Sequence, residues 1–173
     1  MPDAPAATRR AALFSLFDKT GSAELARALE RHGIEIYATG GTRAFLQDQD
    51  VRAKDVEDVT GFPALFGGRV KTLHPKVFGA ILFDRTDAEH RAQAEKYAIA
   101  EICAVVVNLY PFEATVARPG TTEAEAIEQI DVGGVALLRA AAKNFEHVAV
   151  LSHPSQYAEY LAAIGRASCR ERV

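Results

Sequence analysis

Three short strings in this 173-residue chain combine hydroxyls, cations and glycines as an anion-binding site requires. Asp18-Lys19-Thr20-Gly21, Thr39-Gly40-Gly41-Thr42 and Asn108-Leu109-Tyr110-Pro111 each follow an apolar run. Gly40 and Gly41 let the backbone approach a ligand closely, and the helix they open offers unbonded N–H groups and a positive dipole end to a phosphate. Thr39 and Thr42 add hydroxyl donors, and Lys19, at a neighbouring strand end, can neutralise the same anion. The plainer alternative is a turn with a threonine helix cap. No Walker sequence is present, so a nucleoside triphosphate is not expected.

A glycine-opened loop, Gly67-Gly68-Arg69-Val70-Lys71-Thr72-Leu73-His74-Pro75, gathers two cations, a hydroxyl and an imidazole. Solvated charge explains most such runs, but Val70 and Leu73 interleave with the polar residues and anchor this loop to a core. His74 reads as a hydrogen-bonded structural histidine before a catalytic one. The third group is Glu128-Gln129-Ile130-Asp131-Val132-Gly133-Gly134, followed by Arg139-Ala140-Ala141-Ala142-Lys143-Asn144. Asp131 suits a helix cap, and Lys143 complements the dipole at a helix end. Gly133 and Gly134 each cost up to about 1 kcal/mol inside a helix, which an approaching ligand would explain.

Positioning these groups falls to alternating elements. Strands are predicted at 11–16, 34–38, 81–83, 103–108 and 148–151. Helices are predicted around Leu25 and Leu29, then at 43–49, 88–97, 123–129, 135–143 and 155–163. Such alternation, with nearly continuous apolar strands, predicts an α/β fold: a parallel sheet flanked by helices on both faces, in three layers. Ligands of such folds sit outside the carboxyl ends of the strands.

Composition narrows the function classes. An apolar content of 49% supports one core, and a formal net charge of −3 argues against a nucleic-acid partner. No apolar run is long enough for a membrane span and the first residues lack a signal-peptide pattern, so a cytoplasmic protein is expected. Cys103 and Cys169 form no disulfide framework, and no histidine, cysteine or carboxylate group has metal-ligand spacing. Residues 1–10 read as a disordered lead and 11–163 as the domain. Residues 164–173, arginine-rich and without apolar period, resemble translated adapter sequence and are expected to be a non-native, dispensable tail.

Together the motifs resemble a known family. The three strings above, Thr60-Gly61-Phe62-Pro63, the Gly68 to Pro75 loop, the Glu128 to Gly134 segment and the Arg139 to Asn144 segment occur in its order. The chain is similar, over about 11–163, to the inosine monophosphate (IMP) cyclohydrolase half of the bifunctional enzyme that completes IMP synthesis, a domain whose fold is shared with methylglyoxal synthase. The resemblance implies ring closure of 5-formamidoimidazole-4-carboxamide ribonucleotide with loss of water, without a cofactor. It also implies a purine ribonucleotide monophosphate as ligand and a homodimer in the full-length protein, whose transformylase domain is absent here. By the same resemblance Lys19, Thr39, Gly40, Gly41 and Thr42 hold the phosphate, while Arg69, Lys71, Thr72, Val107, Asn108, Asp131, Val132 and Gly133 surround the base. Lys143 is implied as proton donor and acceptor, helped by Lys71, Tyr110 and Asp131.

Phe17 and Phe78 depart from the family, which often has serine or tyrosine at the first and histidine at the second. A methylglyoxal synthase-like lyase and a non-catalytic regulatory module of the same fold are the rival readings. The first leaves Asn108-Leu109-Tyr110-Pro111 unexplained, and the second leaves Lys71, Tyr110, Asp131 and Lys143 unexplained. An unbroken helix from Asp131 to Lys143 would separate their backbones by roughly 18 Å. A non-helical lead-in at 131–133 is therefore expected, with Lys143 bending back near Asn144 or serving a second subunit. Lys71 is expected to act on the base and Lys19 on the phosphate.

Overall fold

Successive residues of a strand face opposite sides of its sheet. In strand β1 (Arg10–Ser15), Ala12 and Phe14 enter one apolar cluster and Ala11 and Leu13 another, all four buried. Burial on both faces is what a parallel sheet between two helical layers produces. The computed structural model describes residues 9–166. Among them β1, β2 (Glu35–Ala38), β3 (Ala53–Asp55), β4 (Glu101–Val107) and β5 (Ala149–Leu151) pair in parallel in the order β3-β2-β1-β4-β5.

The connections among the described residues carry α1 (Ser22–Arg31), α2 (Gly40–Asp48), α3 (Val56–Thr60), α4 (Pro75–Leu82), α5 (Ala88–Lys96), α6 (Phe112–Val116), α7 (Glu123–Glu128), α8 (Gly133–Lys143) and α9 (Tyr157–Arg166). Leu25 and Leu29 of α1, Leu46 of α2 and Tyr157 and Ile164 of α9 pack on one face of the sheet. Val56, Val77, Ile81, Leu137 and Ala141 bring α3, α4 and α8 onto the other. The three-layer α/β expectation holds. None of the described helices is long and apolar enough to cross a membrane.

The strand order places the site. The chain steps outward from β1 through β2 and β3, then returns to lay β4 on the other side of β1. Crossovers leaving in opposite directions open a crevice at the carboxyl ends of these two strands. A bulge sets their register: Ala11 pairs with Ile102 but Ala12 with Ala104, so Cys103 is the extra residue. Cys103 and Ala104 consequently enter the same cluster, while Ile102 and Val105 share the other.

Three expectations are corrected. Residues 81–83 are not a strand: Pro75 at the first helical position and the His74 ring, whose Nδ1 accepts from the Lys76 N–H at 3.2 Å, start α4 there. β1 already begins at Arg10, and the Arg9 carbonyl accepts from the Glu101 N–H at 3.0 Å, so the sheet starts inside the supposed lead. The supposed tail likewise begins inside α9, where Ile164 is buried in the core. Residues 1–8 and 167–173, the rest of both segments, lie outside the described residues.

Candidate functional site

A cleft of about 510 Å³ opens where β1 and β4 end, a size typical of small-molecule sites. Ser15, Leu16 and Phe17 lead into it from β1, Asn108 from β4 and Gly41 from the start of α2. The 67–72 loop and the 127–134 segment form its walls.

The start of α2 has the features of an anion site. Thr39 occupies the cap position but makes no side-chain cap; its hydroxyl instead lies 3.4 Å from Ser15 Oγ. The first amides of the helix, those of Gly40 and Gly41, have no acceptor within it. A Cβ on Gly40 would stand 3.6 Å from Lys71 Nζ, so that ammonium lies against the helix start. Lys71 thus approaches the helix start expected to hold the phosphate, and it lines the cleft together with Lys19. Lys19 Nζ donates to the Phe17 carbonyl at 3.2 Å. Asp18 is held below the usual carboxylate range by bonds from the Thr20 hydroxyl and N–H, so it stays anionic beside Lys19. Thr42 is buried, and its Oγ accepts from Leu16 N–H at 2.9 Å and donates to Leu16 O at 3.2 Å, which makes it a tie to β1 in place of the expected ligand donor.

Across the cleft, the 67–72 loop meets the 127–134 segment. The Arg69 guanidinium pairs with Glu128 at the end of α7. From the position just before Val132, the cap residue of α8, Asp131 Oδ1 accepts from Gly134 N–H at 2.6 Å. That helix starts at Gly133, with Val132 already in helical geometry, which shortens the expected lead-in. A Cβ on Gly134 would stand 2.6 Å from Asp131 Oδ2 and 2.7 Å from Leu109 Cδ2; on Gly133 it would stand 3.1 Å from Thr72 Oγ1. Protein packing thus accounts for these glycines without a ligand. Tyr110 lines the cleft with its ring edge-on to Phe17, centroids 5.8 Å apart. Phe78 packs against the second cluster.

Asn108 also lines the cleft, but its carboxamide is occupied: Oδ1 accepts from Phe17 N–H at 2.7 Å and Asp18 N–H at 2.9 Å, and Nδ2 donates to Asp18 O at 2.7 Å. It ties the two strand ends together. Val107 is fully buried in the core, so its side chain meets no ligand. Lys143 is not brought to the cleft. The eleven residues of α8, at about 1.5 Å each, leave it about 15 Å from Gly133. Nor does the chain bend back beyond it, because Asn144 Nδ2 donates to Ile81 O at 2.7 Å and Phe83 O at 3.1 Å, fixing that end to α4. Among the described residues no three His, Cys, Asp or Glu side chains converge to hold a metal ion.

A family model described as the MGS-like domain matches residues 21–136. The chain belongs to this family. Among its relatives, this MGS-like domain is 51% identical over 153 residues to the bifunctional purine biosynthesis protein PurH of Staphylococcus haemolyticus, covering 88% of the chain and 31% of that protein. It is 54% identical over 150 residues to PurH of Chloroflexus aurantiacus, covering 87% of the chain and 29% of the relative. The chain thus spans less than a third of these relatives' length. The solved structure titled "Crystal structure of ForH" superimposes with a TM-score of 0.82 at 37% identity, over 91% of this chain and 79% of that one.

The sequence reading assigned no ligand role to several residues lining the cleft of this MGS-like domain, including Ser15, Gly68, Glu128 and Ile130. Ser15 carries a usable signal, being the last residue of a strand beside the switch point. Glu128 carries none, because its place over Arg69 depends on how α7 folds back.

Proposed function

We propose that this MGS-like domain is an IMP cyclohydrolase of purine biosynthesis, closing the purine ring of 5-formamidoimidazole-4-carboxamide ribonucleotide with loss of water. The observation that carries the reading is the cleft at the β1/β4 switch point, which brings an uncapped helix start with Lys71 against it together with Lys19, Tyr110, Thr72 and Asp131. The relatives named PurH support the same reading.

In the proposed reaction the phosphate rests on the Gly40 and Gly41 amides, with Lys19 and Lys71 neutralising it. The carboxamide nitrogen attacks the formyl carbon and a C–N bond forms. A carboxamide is a weak nucleophile and must lose a proton as it attacks, which the Asp131 carboxylate accepts. The formyl oxygen gains negative charge, and the Thr72 and Tyr110 hydroxyls and the Gly133 N–H, which has no acceptor within α8, are the donors that stabilise it. That oxygen takes up the proton held by Asp131 and one from the formamido nitrogen, its bond to carbon breaks and it leaves as water, and the ring C=N bond forms between the former formyl carbon and the formamido nitrogen. Lys143 has no part in this scheme.

The position of Lys143 supports a second reading, a nucleotide-binding module without turnover. One assay separates the two. Purified protein given the formylated ribonucleotide, without folate or added metal, should produce the absorbance of IMP. Tight binding of the nucleotide with no absorbance change would favour the module.

A further inference from the structure

The Arg69 to Glu128 pair joins the 67–72 loop to the end of α7, and both residues line the cavity. Its effect on charge is simple. Arg69 is paired with Glu128, and Asp131, three residues beyond Glu128, adds a further carboxylate to the cavity lining. Among the described residues Asp131 receives one donor, Gly134 N–H on Oδ1, and a carboxylate oxygen can only accept. The Glu128 and Asp131 wall thus asks for hydrogen-bond donors, whereas the start of α2, with the Lys71 ammonium against it, is cationic.

From this asymmetry we infer that Glu128 is a specificity-determining residue: by occupying Arg69 it makes the site select an imidazole ribonucleotide bearing a neutral carboxamide over the same nucleotide bearing a carboxylate. The inference rests on the proposed ring closure, in which the phosphate takes the cationic end. A carboxamide N–H₂ can donate to Asp131 Oδ2. A carboxylate in its place has no proton to donate and faces Asp131 and Glu128 as a like charge, unless Glu128 gives up Arg69. Both partners of the pair are more than half exposed, so screening by water limits the discrimination to a moderate factor.

The test uses two probes that differ only at this group and cannot cyclise, 5-aminoimidazole-4-carboxamide ribonucleotide and 5-aminoimidazole-4-carboxylate ribonucleotide, with IMP as control. Calorimetric titration of the full chain should show the carboxamide binding about tenfold tighter at low salt. In Glu128→Gln the carboxylate should gain about tenfold while IMP and the carboxamide change little. In Glu128→Gln/Arg69→Gln the carboxylate should lose that gain, because the released guanidinium is its source. Equal affinities in the wild-type protein, or a ratio unmoved by Glu128→Gln, would overturn the inference while leaving the cyclohydrolase reading intact. Failure to bind IMP at all would overturn the reading on which it rests.

Discussion

Asn108 holds Asp18 by both of its main-chain polar groups, accepting from its N–H at 2.9 Å and donating to its carbonyl at 2.7 Å. One carboxamide so joins the loop that carries Lys19 to the strand that leads to Tyr110. Asn108→Ala removes these bonds and the one from Phe17 N–H. The site is partly open to water, which can replace some of them, so a loss of about 1–3 kcal/mol is expected. Urea unfolding measures it, and faster amide exchange at Phe17 and Asp18, together with weaker IMP binding, locates the effect. Unchanged exchange at those two amides would contradict the tie.

The cations of the cleft predict a change in affinity. Lys71→Ala and Lys19→Ala should each weaken IMP binding by about tenfold, the equivalent of about 1.4 kcal/mol, because both line the cleft proposed to hold the anion. Lys143→Ala should leave that affinity within about twofold. Calorimetric titration with IMP compares the three. A large loss on Lys143→Ala alone would place that lysine in the site after all.

Gly134→Ala offers a different measurement. Alanine favours a helix over glycine by about 1 kcal/mol, yet its Cβ would stand 2.6 Å from Asp131 Oδ2 and 2.7 Å from Leu109 Cδ2. Overpacking of this kind costs about 1–3 kcal/mol. The expected result is a lower urea midpoint and, with the formylated substrate, a larger fall in kcat than rise in KM, since Asp131 is the group displaced. Gly133→Ala, with 3.1 Å to Thr72 Oγ1, should be milder on both counts.

Alkaline stability follows from two tyrosines. Burial, then the charge of Glu35, pushes Tyr37 up to about 12, and burial, then Asp18, does the same for Tyr157. A phenol whose folded pKa exceeds its unfolded value near 10 favours the fold while neutral. Its contribution is full below about pH 10 and is lost as pH rises through about 12. Unfolding free energy measured from pH 8 to 12 should decline over the last two units. Tyr157→Phe should reduce that decline and also stabilise the protein at pH 8 by about 1 kcal/mol, because the Tyr157 hydroxyl is buried without a hydrogen-bond partner among the described residues.

The three-layer fold was legible because β1, β2 and β4 are apolar runs whose patterns survive in any context. β3 was not, since Ala53-Lys54-Asp55 has only one buried residue and owes its pairing to β2. Residues 81–83 misled because a run of three apolar residues fits strand or helix equally, and the deciding feature, Pro75 behind a histidine cap, lies several residues upstream. At the site, glycines and cations marked the α2 start and the 67–72 loop. For Thr42 and Asn108 the structure adds hydrogen-bond partners within the protein, and for Val107 it adds burial. Residue type and position suggest a ligand contact, but a donor already used within the protein is invisible until its partners are in place. The separation of Lys143 from Asp131 along one helix was legible as roughly 18 Å, but the sequence could not show that Asn144 fixes the helix end to α4.

The extra residue at Cys103 makes the sheet act as a vernier. Pairing upstream of it, Arg10 with Glu101 and Ala11 with Ile102, runs one step out of phase with pairing downstream, where Ser15 meets Val107. One step is about 3.3 Å and reverses which face a side chain takes. If a regular ladder extended from the upstream pairs, Asn108 would stand one residue out of line with Phe17 and could not reach both amides it now binds. The offset lets the amino edge of the sheet, where the 83–100 connection arrives, keep its own alignment while the carboxyl edge keeps the one the ligand needs. Lengthening or shortening that connection is therefore mechanically insulated from the cleft, whereas a single deletion within β4 would be transmitted to it in full.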